Sequence, residues 1–138
     1  MDAAISRLII PADISGDILL CDEGLSFWGG VNADTGVIQD ALHPQFGECL
    51  AGRIVLMPTS RGSCTGSGVL LNLAMIGRAP AALVFREAED VLTLGAVVTA
   101  RMFNLHIAVV RLDPADYDAL AAQPGATLKG DRIVAGPI

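Results

Sequence analysis

The chain has few aromatic and few charged residues. Aromatic side chains make up 4% of its 138 residues and charged side chains 17%, whereas hydrophobic residues make up 52%. A core with so few rings has to consist of Ala, Val, Leu and Ile, which suit parallel strands and the helices that cover them. An apolar face that docks on a partner raises the same percentage. Composition alone leaves both explanations open.

Basic residues are also scarce, and they are scattered along the chain. The formal net charge is −6, which argues against a protein that neutralises nucleic-acid phosphates with a basic face. No apolar run approaches the roughly 20 residues that span a bilayer, and the N-terminus does not have the pattern of a secretory signal. We therefore expect a cytoplasmic chain that binds neither nucleic acid nor membrane.

The few cysteines and histidines do not form a motif. Three cysteines at positions 21, 49 and 64 fit neither a disulfide framework nor a zinc-finger spacing. Cys21 and Cys49 are predicted to be small buried residues. His43 and His106 are far apart in the sequence, and a core or edge role suits them better than catalysis. No metal site is predicted in this chain.

The order of apolar runs and turns predicts a single α/β domain over residues 1–138. Alternating strands and helices in the central part indicate parallel strands joined by right-handed crossovers, and a polar turn is expected at 13–16. The predicted strands are 7–11, 17–21, 53–57, 81–85, 105–111, 127–129 and 132–135, and the predicted helices are 66–76, 89–102 and 113–122.

One loop, residues 58–68, stands out between the predicted strand at 53–57 and the helix that follows. Its sequence is Pro-Thr-Ser-Arg-Gly-Ser-Cys-Thr-Gly-Ser-Gly. A joint of this kind directs unpaired backbone N–H groups and the positive end of a helix towards one point, which suits an anionic ligand. Arg61 adds a guanidinium to that point, and Ser63 is central in the loop. In parallel sheets, ligands bind at the carboxyl ends of the strands, and this loop begins at such an end.

Plainer interpretations of these residues remain open. Ser63 has the alternative role of an ordinary helix cap, and Thr65 and Ser67 are more often caps or spacers than ligands. Arg61 has the alternative of pairing with an acid on a partner. The acidic cluster of Glu87, Glu89 and Asp90 has two interpretations. It either faces the cleft beside the loop, or it forms a solvated turn and a helix cap. Phe27 and Trp28 belong either to the core or to a partner-facing surface.

Known loop motifs narrow the function further. The loop does not end in the Lys-[Ser/Thr] of a P-loop and does not have the spacing of a dinucleotide fingerprint. It also lacks the Gly-x-Ser-x-Gly elbow of a serine hydrolase. A non-catalytic phosphate-binding or assembly module remains an alternative to an enzyme subunit.

Several segments together resemble the swivel domain of aconitase X, a branch of the aconitase superfamily. The similarity covers roughly residues 8–112 and includes Ser-Phe-Trp-Gly-Gly-Val at 26–31, Thr35-Gly36, His43-Pro44, Gly-Arg-Ile-Val at 52–55, the 61–67 loop and Arg-Ala-Pro-Ala-Ala-Leu-Val at 78–84. The resemblance implies a swivelling β/β/α domain, in which a central, mostly parallel sheet or barrel is flanked by helices.

The resemblance also implies a function. Members are hydro-lyases, and this chain matches their small subunit, which is active only with a large catalytic subunit. That partner holds the iron or iron–sulfur centre. Ser63 matches the serine that accepts the substrate proton, and Arg61, Gly62, Cys64 and Thr65 are expected to bind a small hydroxy acid. Cys64 favours cis-3-hydroxy-L-proline over the alternative, mevalonate 5-phosphate, which archaeal members dehydrate in isoprenoid synthesis.

Overall fold

A computed structural model describes residues 2–4, 7–10, 13–61, 66–89 and 91–135. Within these ranges the chain forms strands and helices in an order that alternates through its central part. In chain order they are β1 Asp2–Ala4, β2 Arg7–Ile10, β3 Ile14–Leu20, α1 Phe27–Gly30, β4 Ile54–Met57, α2 Gly66–Met75, β5 Ala82–Phe85, α3 Val91–Phe103, β6 Ala108–Arg111, α4 Pro114–Ala121, β7 Gly125–Lys129 and β8 Arg132–Ala135.

The centre of the sheet is parallel, which confirms the predicted α/β class. Strands β3, β4, β5 and β6 are neighbours, and each pairs in parallel with the next. Met57 pairs with Phe85, and Phe85 pairs with Arg111. Three strands therefore end in one row, and the loops that follow them start at the same edge of the sheet. We call this the carboxyl edge.

The outer strands curl the sheet towards a barrel. The strand order is β1-β8-β7-β3-β4-β5-β6-β2, and the pairings outside the parallel centre are antiparallel. β1 and β2 lie at opposite ends of this order, yet only two residues separate Ala4 from Arg7. Three Cα–Cα steps span at most about 11 Å. The two edge strands are therefore held close together.

Alternating side chains in the central strands form two separate cores. Val55, Leu83 and Val109 point to the face covered by α2 and α3, where they join Leu70, Leu73, Leu92 and Ala96. Ile54, Val84 and Val110 point to the opposite face, where they pack with Tyr117 and Leu120 of α4 and with Leu128 and Ile133 of β7 and β8. Because both faces are buried, these strands are continuous apolar runs.

Two predicted boundaries are wrong. Residues 14–16 of the predicted polar turn at 13–16 belong to β3, where they pair with β7. The predicted strand at 105–111 starts only at Ala108, because Asn104 has a φ of 52° and the chain joins the sheet three residues later than expected. β1, which pairs with β8, was not predicted.

Helices α2 and α3 approach each other closely at Gly95. A Cβ atom at Gly95 would lie 2.9 Å from the Cβ and 3.1 Å from the carbonyl oxygen of Ser67. Real Cβ atoms almost never lie within 3.0 Å of such an atom, and the carbonyl contact is also tight, so a side chain at position 95 would push α3 away from the first turn of α2. Gly68 offers a contrast, since nothing lies within 4 Å of a Cβ built there.

Replacing Gly68 and Gly95 by alanine should change the free energy of unfolding in opposite directions. Gly68→Ala should raise the free energy of unfolding by about 0.5–1 kcal/mol because alanine is the better helix former. Gly95→Ala should lower it by about 1–3 kcal/mol because overpacking outweighs the same gain. Urea denaturation of both variants measures the two changes, and an equal stabilisation at both positions would contradict the described contact.

Candidate active site

The loop that follows β4 lies at the carboxyl edge between the loops that follow β3 and β5. On the β5 side, the carbonyl oxygen of Pro58 accepts hydrogen bonds from Arg86 N at 3.2 Å and from Glu87 N at 2.9 Å. The hydroxyl of Thr59 donates to the carbonyl oxygen of Ala88 at 3.3 Å, and the hydroxyl of Ser60 donates to Glu89 Oε2. Three consecutive residues are thus bound to one neighbouring loop.

On the β3 side, the same loop contacts backbone. Arg61 N donates to the carbonyl oxygen of Leu25 at 3.0 Å. A Cβ atom at Gly24 would lie 2.5 Å from the carbonyl oxygen of Thr59, so the two backbones meet where a side chain has no room. Residues 58–61 are therefore fixed from both sides before the chain reaches the glycine-serine segment.

The side chain of Arg61 remains available to a ligand. It is 59% exposed, and its Nη2 atom lies 3.8 Å from Glu23 Oε1, which is a loose, solvent-screened ion pair. Glu23 is itself held by His43, whose Nε2 lies 3.1 Å from the Glu23 carbonyl oxygen. Gln45 N donates to His43 Nδ1 at 3.0 Å, so Nδ1 is the acceptor and the proton resides on Nε2.

The central residues of the predicted site, Gly62, Ser63, Cys64 and Thr65, lie outside the described residues. Their roles stay predictions. The flanking elements are those that the sequence predicts, because β4 ends at Met57 and α2 begins at Gly66. Ser63 therefore precedes the first described residue of α2 by three positions along the chain. Arg61 is the one predicted site residue within the described ranges.

Two of the other residues that the sequence analysis names, His43 and Glu89, make structural hydrogen bonds. His43 is buried and joins two loops, as expected for a core residue. Glu89 accepts hydrogen bonds from Leu92 N and Thr93 N at 2.9 Å each, so the helix-cap interpretation is confirmed for it. His106 is exposed and lies before β6. Glu87 is exposed, and Asp90 lies outside the described residues.

The Phe-Trp pair divides between the two interpretations. Phe27 is buried in the core, whereas Trp28 is 62% exposed on α1, which packs against α2 beside the candidate site. A core role is therefore wrong for Trp28. Its part in contacting a partner stays a prediction.

Sequence reasoning missed Glu23, Gln45 and the Ser60–Glu89 hydrogen bond. Gln45 bonds to Asp22 through both its amide oxygen and its amide nitrogen, and Ser60 lies 29 positions before Glu89. Such contacts depend on which strands are neighbours, so no local spacing indicates them. The register of the parallel strands was the signal that could have placed them together.

The described residues offer no ligand set for the iron centre that the resemblance implies. Among them, no group of three or more His, Cys, Asp or Glu side chains is arranged to hold a metal ion. No helix in the described ranges combines the length and apolar character needed to cross a bilayer.

The fold of the chain matches a solved structure of known class. The crystal structure of Thermococcus kodakaraensis aconitase X in its holo-form superimposes with a TM-score of 0.81 at 26% sequence identity, covering 99% of each chain. The model of the aconitase X swivel domain family matches residues 4–135. The chain belongs to the aconitase X swivel domain family.

Sequence relatives fall into two groups. The chain is 42% identical over 129 residues to a cis-3-hydroxy-L-proline dehydratase from Pseudomonas aeruginosa. The matched region covers 94% of this chain and 22% of that protein. It is 44% identical over 85 residues to the phosphomevalonate dehydratase small subunit from Methanopyrus kandleri, which covers 62% of this chain and 63% of that one. The chain thus spans about a fifth of the length of the cis-3-hydroxy-L-proline dehydratases that it matches.

The three cysteines differ in their surroundings. Cys21, which directly follows β3 at the carboxyl edge, is fully buried, and burial followed by the charge of Asp22 raises its pKa from 9.0 to about 12. Cys49 is half-buried, and its Sγ atom lies 3.5 Å from the carbonyl oxygen of Thr35. Burial is thus confirmed for Cys21 and only in part for Cys49, while Cys64 lies outside the described residues.

Cys21 should not react with iodoacetamide in the native protein at pH 8. The thiolate is the reactive form, and both burial and the raised pKa suppress it. In urea Cys21 should be alkylated at the rate of an ordinary thiol. Mass spectrometry of the labelled peptides separates the cysteines. Equal rates of Cys21 labelling in native and unfolded protein would contradict this assignment.

Proposed function

We propose that this chain is the swivel component, as a small subunit, of a hydro-lyase that dehydrates a small β-hydroxy acid together with a large catalytic subunit. The observation that carries the proposal is the joint from β4 to α2 at the carboxyl edge of a parallel sheet. There an anchored loop presents an exposed guanidinium, on a residue five positions before the first described residue of a ten-residue helix. Anionic substrates bind at such joints.

In this proposal Ser63 removes the proton from the carbon next to the substrate carboxylate. A serine hydroxyl is a weak base, because its alkoxide is strongly disfavoured in water. The positive end of α2 and the nearby guanidinium of Arg61 lower the cost of negative charge at this position. Nearby donors of this kind also stabilise the negative charge that develops on the substrate when the proton leaves.

Arg61 is proposed to hold the substrate carboxylate. Its backbone N–H is fixed on Leu25, while its side chain has only the loose contact with Glu23. A guanidinium binds a carboxylate through two parallel hydrogen bonds, which orients it as well as attracting it. Substrate binding then exchanges a weak, exposed ion pair for a stronger one.

The proposed substrate is cis-3-hydroxy-L-proline. The support is the similarity to cis-3-hydroxy-L-proline dehydratase, which extends over 94% of this chain. Mevalonate 5-phosphate is the second candidate, supported by the 44% identity to a phosphomevalonate dehydratase small subunit over 62% of this chain. Both molecules have a hydroxyl group two carbons from a carboxylate, so the chemistry proposed for Ser63 and Arg61 suits either one.

The large subunit is proposed to supply the other wall of the active site and the iron or iron–sulfur centre. The described residues of this chain do not fit an iron site, and the relatives with the longest matches are about four times the length of this chain. The steps assigned here are therefore limited to this chain's own residues: binding the carboxylate and accepting the proton.

Ser63→Ala should abolish turnover by the complex, because the proposed base is removed while the chain still folds and associates. The measurement is loss of cis-3-hydroxy-L-proline, and separately of mevalonate 5-phosphate, after mixing with the large subunit. Ser15→Ala is the matched control. It removes a hydroxyl that bonds to Thr127 near the start of β3, away from the carboxyl edge.

Thermal unfolding and co-purification with the large subunit check that both variants remain intact. The control should keep normal turnover. Near-normal turnover in Ser63→Ala would end the proposal that Ser63 is the base. Hydrolysis of a simple ester by this chain alone would instead contradict the hydro-lyase assignment.

A further inference from the structure

Helix α3 and its cap residue Glu89 contact the candidate loop on both sides of the segment that holds Ser63. Before that segment, Ser60 donates its hydroxyl hydrogen to Glu89, which lies two positions before the first residue of α3. After it, Ser67 packs against Gly95 in the second turn of α3. One rigid element is thus fixed to both ends of the loop.

Glu89 is a buried carboxylate whose two oxygens have separate partners. It is 8% exposed. Oε2 accepts from Ser60 Oγ and from Leu92 N, while Oε1 accepts from Thr93 N and from Thr93 Oγ1 at 3.1 Å. A buried charge is retained only when its hydrogen-bonding capacity is filled, and here the start of α3 and the loop fill it together.

A helix cap alone does not need the contact with Ser60. The N–H groups of Leu92 and Thr93 already place the carboxylate at the start of α3, as in ordinary capping. The hydrogen bond to Ser60 instead spans 29 positions of sequence and reaches the residue before Arg61. It links a helix terminus to the loop that presents the proposed substrate-binding side chain.

We propose that Glu89 is a positioning residue, which holds Ser60, and through it Arg61, in the place that the reaction requires. The inference rests on the proposed function for its effect on turnover. The geometric part concerns the backbone of Arg61, whose N–H bonds to the Leu25 carbonyl oxygen at 3.0 Å. Loss of the Ser60–Glu89 hydrogen bond should loosen that contact.

The test compares two substitutions that each remove one hydrogen bond to Glu89. Ser60→Ala removes the bond to the loop and leaves the start of α3 unchanged. Thr93→Val removes the hydroxyl bond within α3 and leaves Ser60 in contact. Ser60→Ala should speed amide exchange at Arg61 by about tenfold, which corresponds to one hydrogen bond to a charged group. Thr93→Val should leave that exchange unchanged, as measured by NMR.

The same variants are assayed in the complex with the large subunit. Ser60→Ala should lower kcat/KM by about tenfold. Ser60→Thr keeps the hydroxyl and should restore kcat/KM. Thr93→Val should leave kcat/KM at the wild-type value. In a Glu89→Gln background, Ser60→Ala should have a much smaller effect, because the partner is already altered.

The outcomes separate this inference from the proposed function. Unchanged Arg61 exchange in Ser60→Ala, or an equal loss of kcat/KM in Thr93→Val, would overturn the positioning role. Faster exchange of the Arg61 amide in Ser60→Ala, together with normal turnover, would show that this positioning has no role in the reaction and would also overturn the inference. If the wild-type complex dehydrates neither substrate, the proposed function fails, while Arg61 exchange still decides whether Glu89 holds the loop.

Discussion

Parallel pairing of four strands is the constraint on which the rest of this structure depends. Because Met57, Phe85 and Arg111 are register partners, the loops after β4, β5 and β6 begin side by side. Residues far apart in the chain then become neighbours without any motif that links them. The sheet's two buried faces fix this register, since a slip by one residue would exchange the two cores.

The candidate site follows from that edge by short backbone contacts. Pro58 bonds to the loop after β5 and Arg61 to the loop after β3, so the segment before the glycine-serine residues has little freedom. Rigid support of this kind is what a catalytic group needs, because small misplacements are costly in rate. Arg61 and Trp28 are both exposed at this edge, where we propose that a substrate and a partner bind.

Sequence patterns predicted the parts of the fold that depend on local order. The apolar runs of β4 and β5 and the start of α4 at Pro114 follow from composition and capping signals. The first three residues of β3 were missed because Ser15 and Gly16 are polar or small, and their pairing partners lie in β7 more than 100 residues later. Arg61 was predicted from its loop and Glu89 as a residue of the cleft or a helix cap, whereas the contacts Glu23–Arg61 and Ser60–Glu89 depend on which strands are neighbours.

Hydrogen exchange measured with and without the large subunit tests the central claim most directly. If the carboxyl edge is the wall of a shared active site, complex formation should slow amide exchange in residues 22–30, 59–61 and 86–89. Residues of β1 and of the hairpin formed by β7 and β8 should keep their rates. Protection confined to that hairpin, with unchanged exchange at the carboxyl edge, would contradict the account.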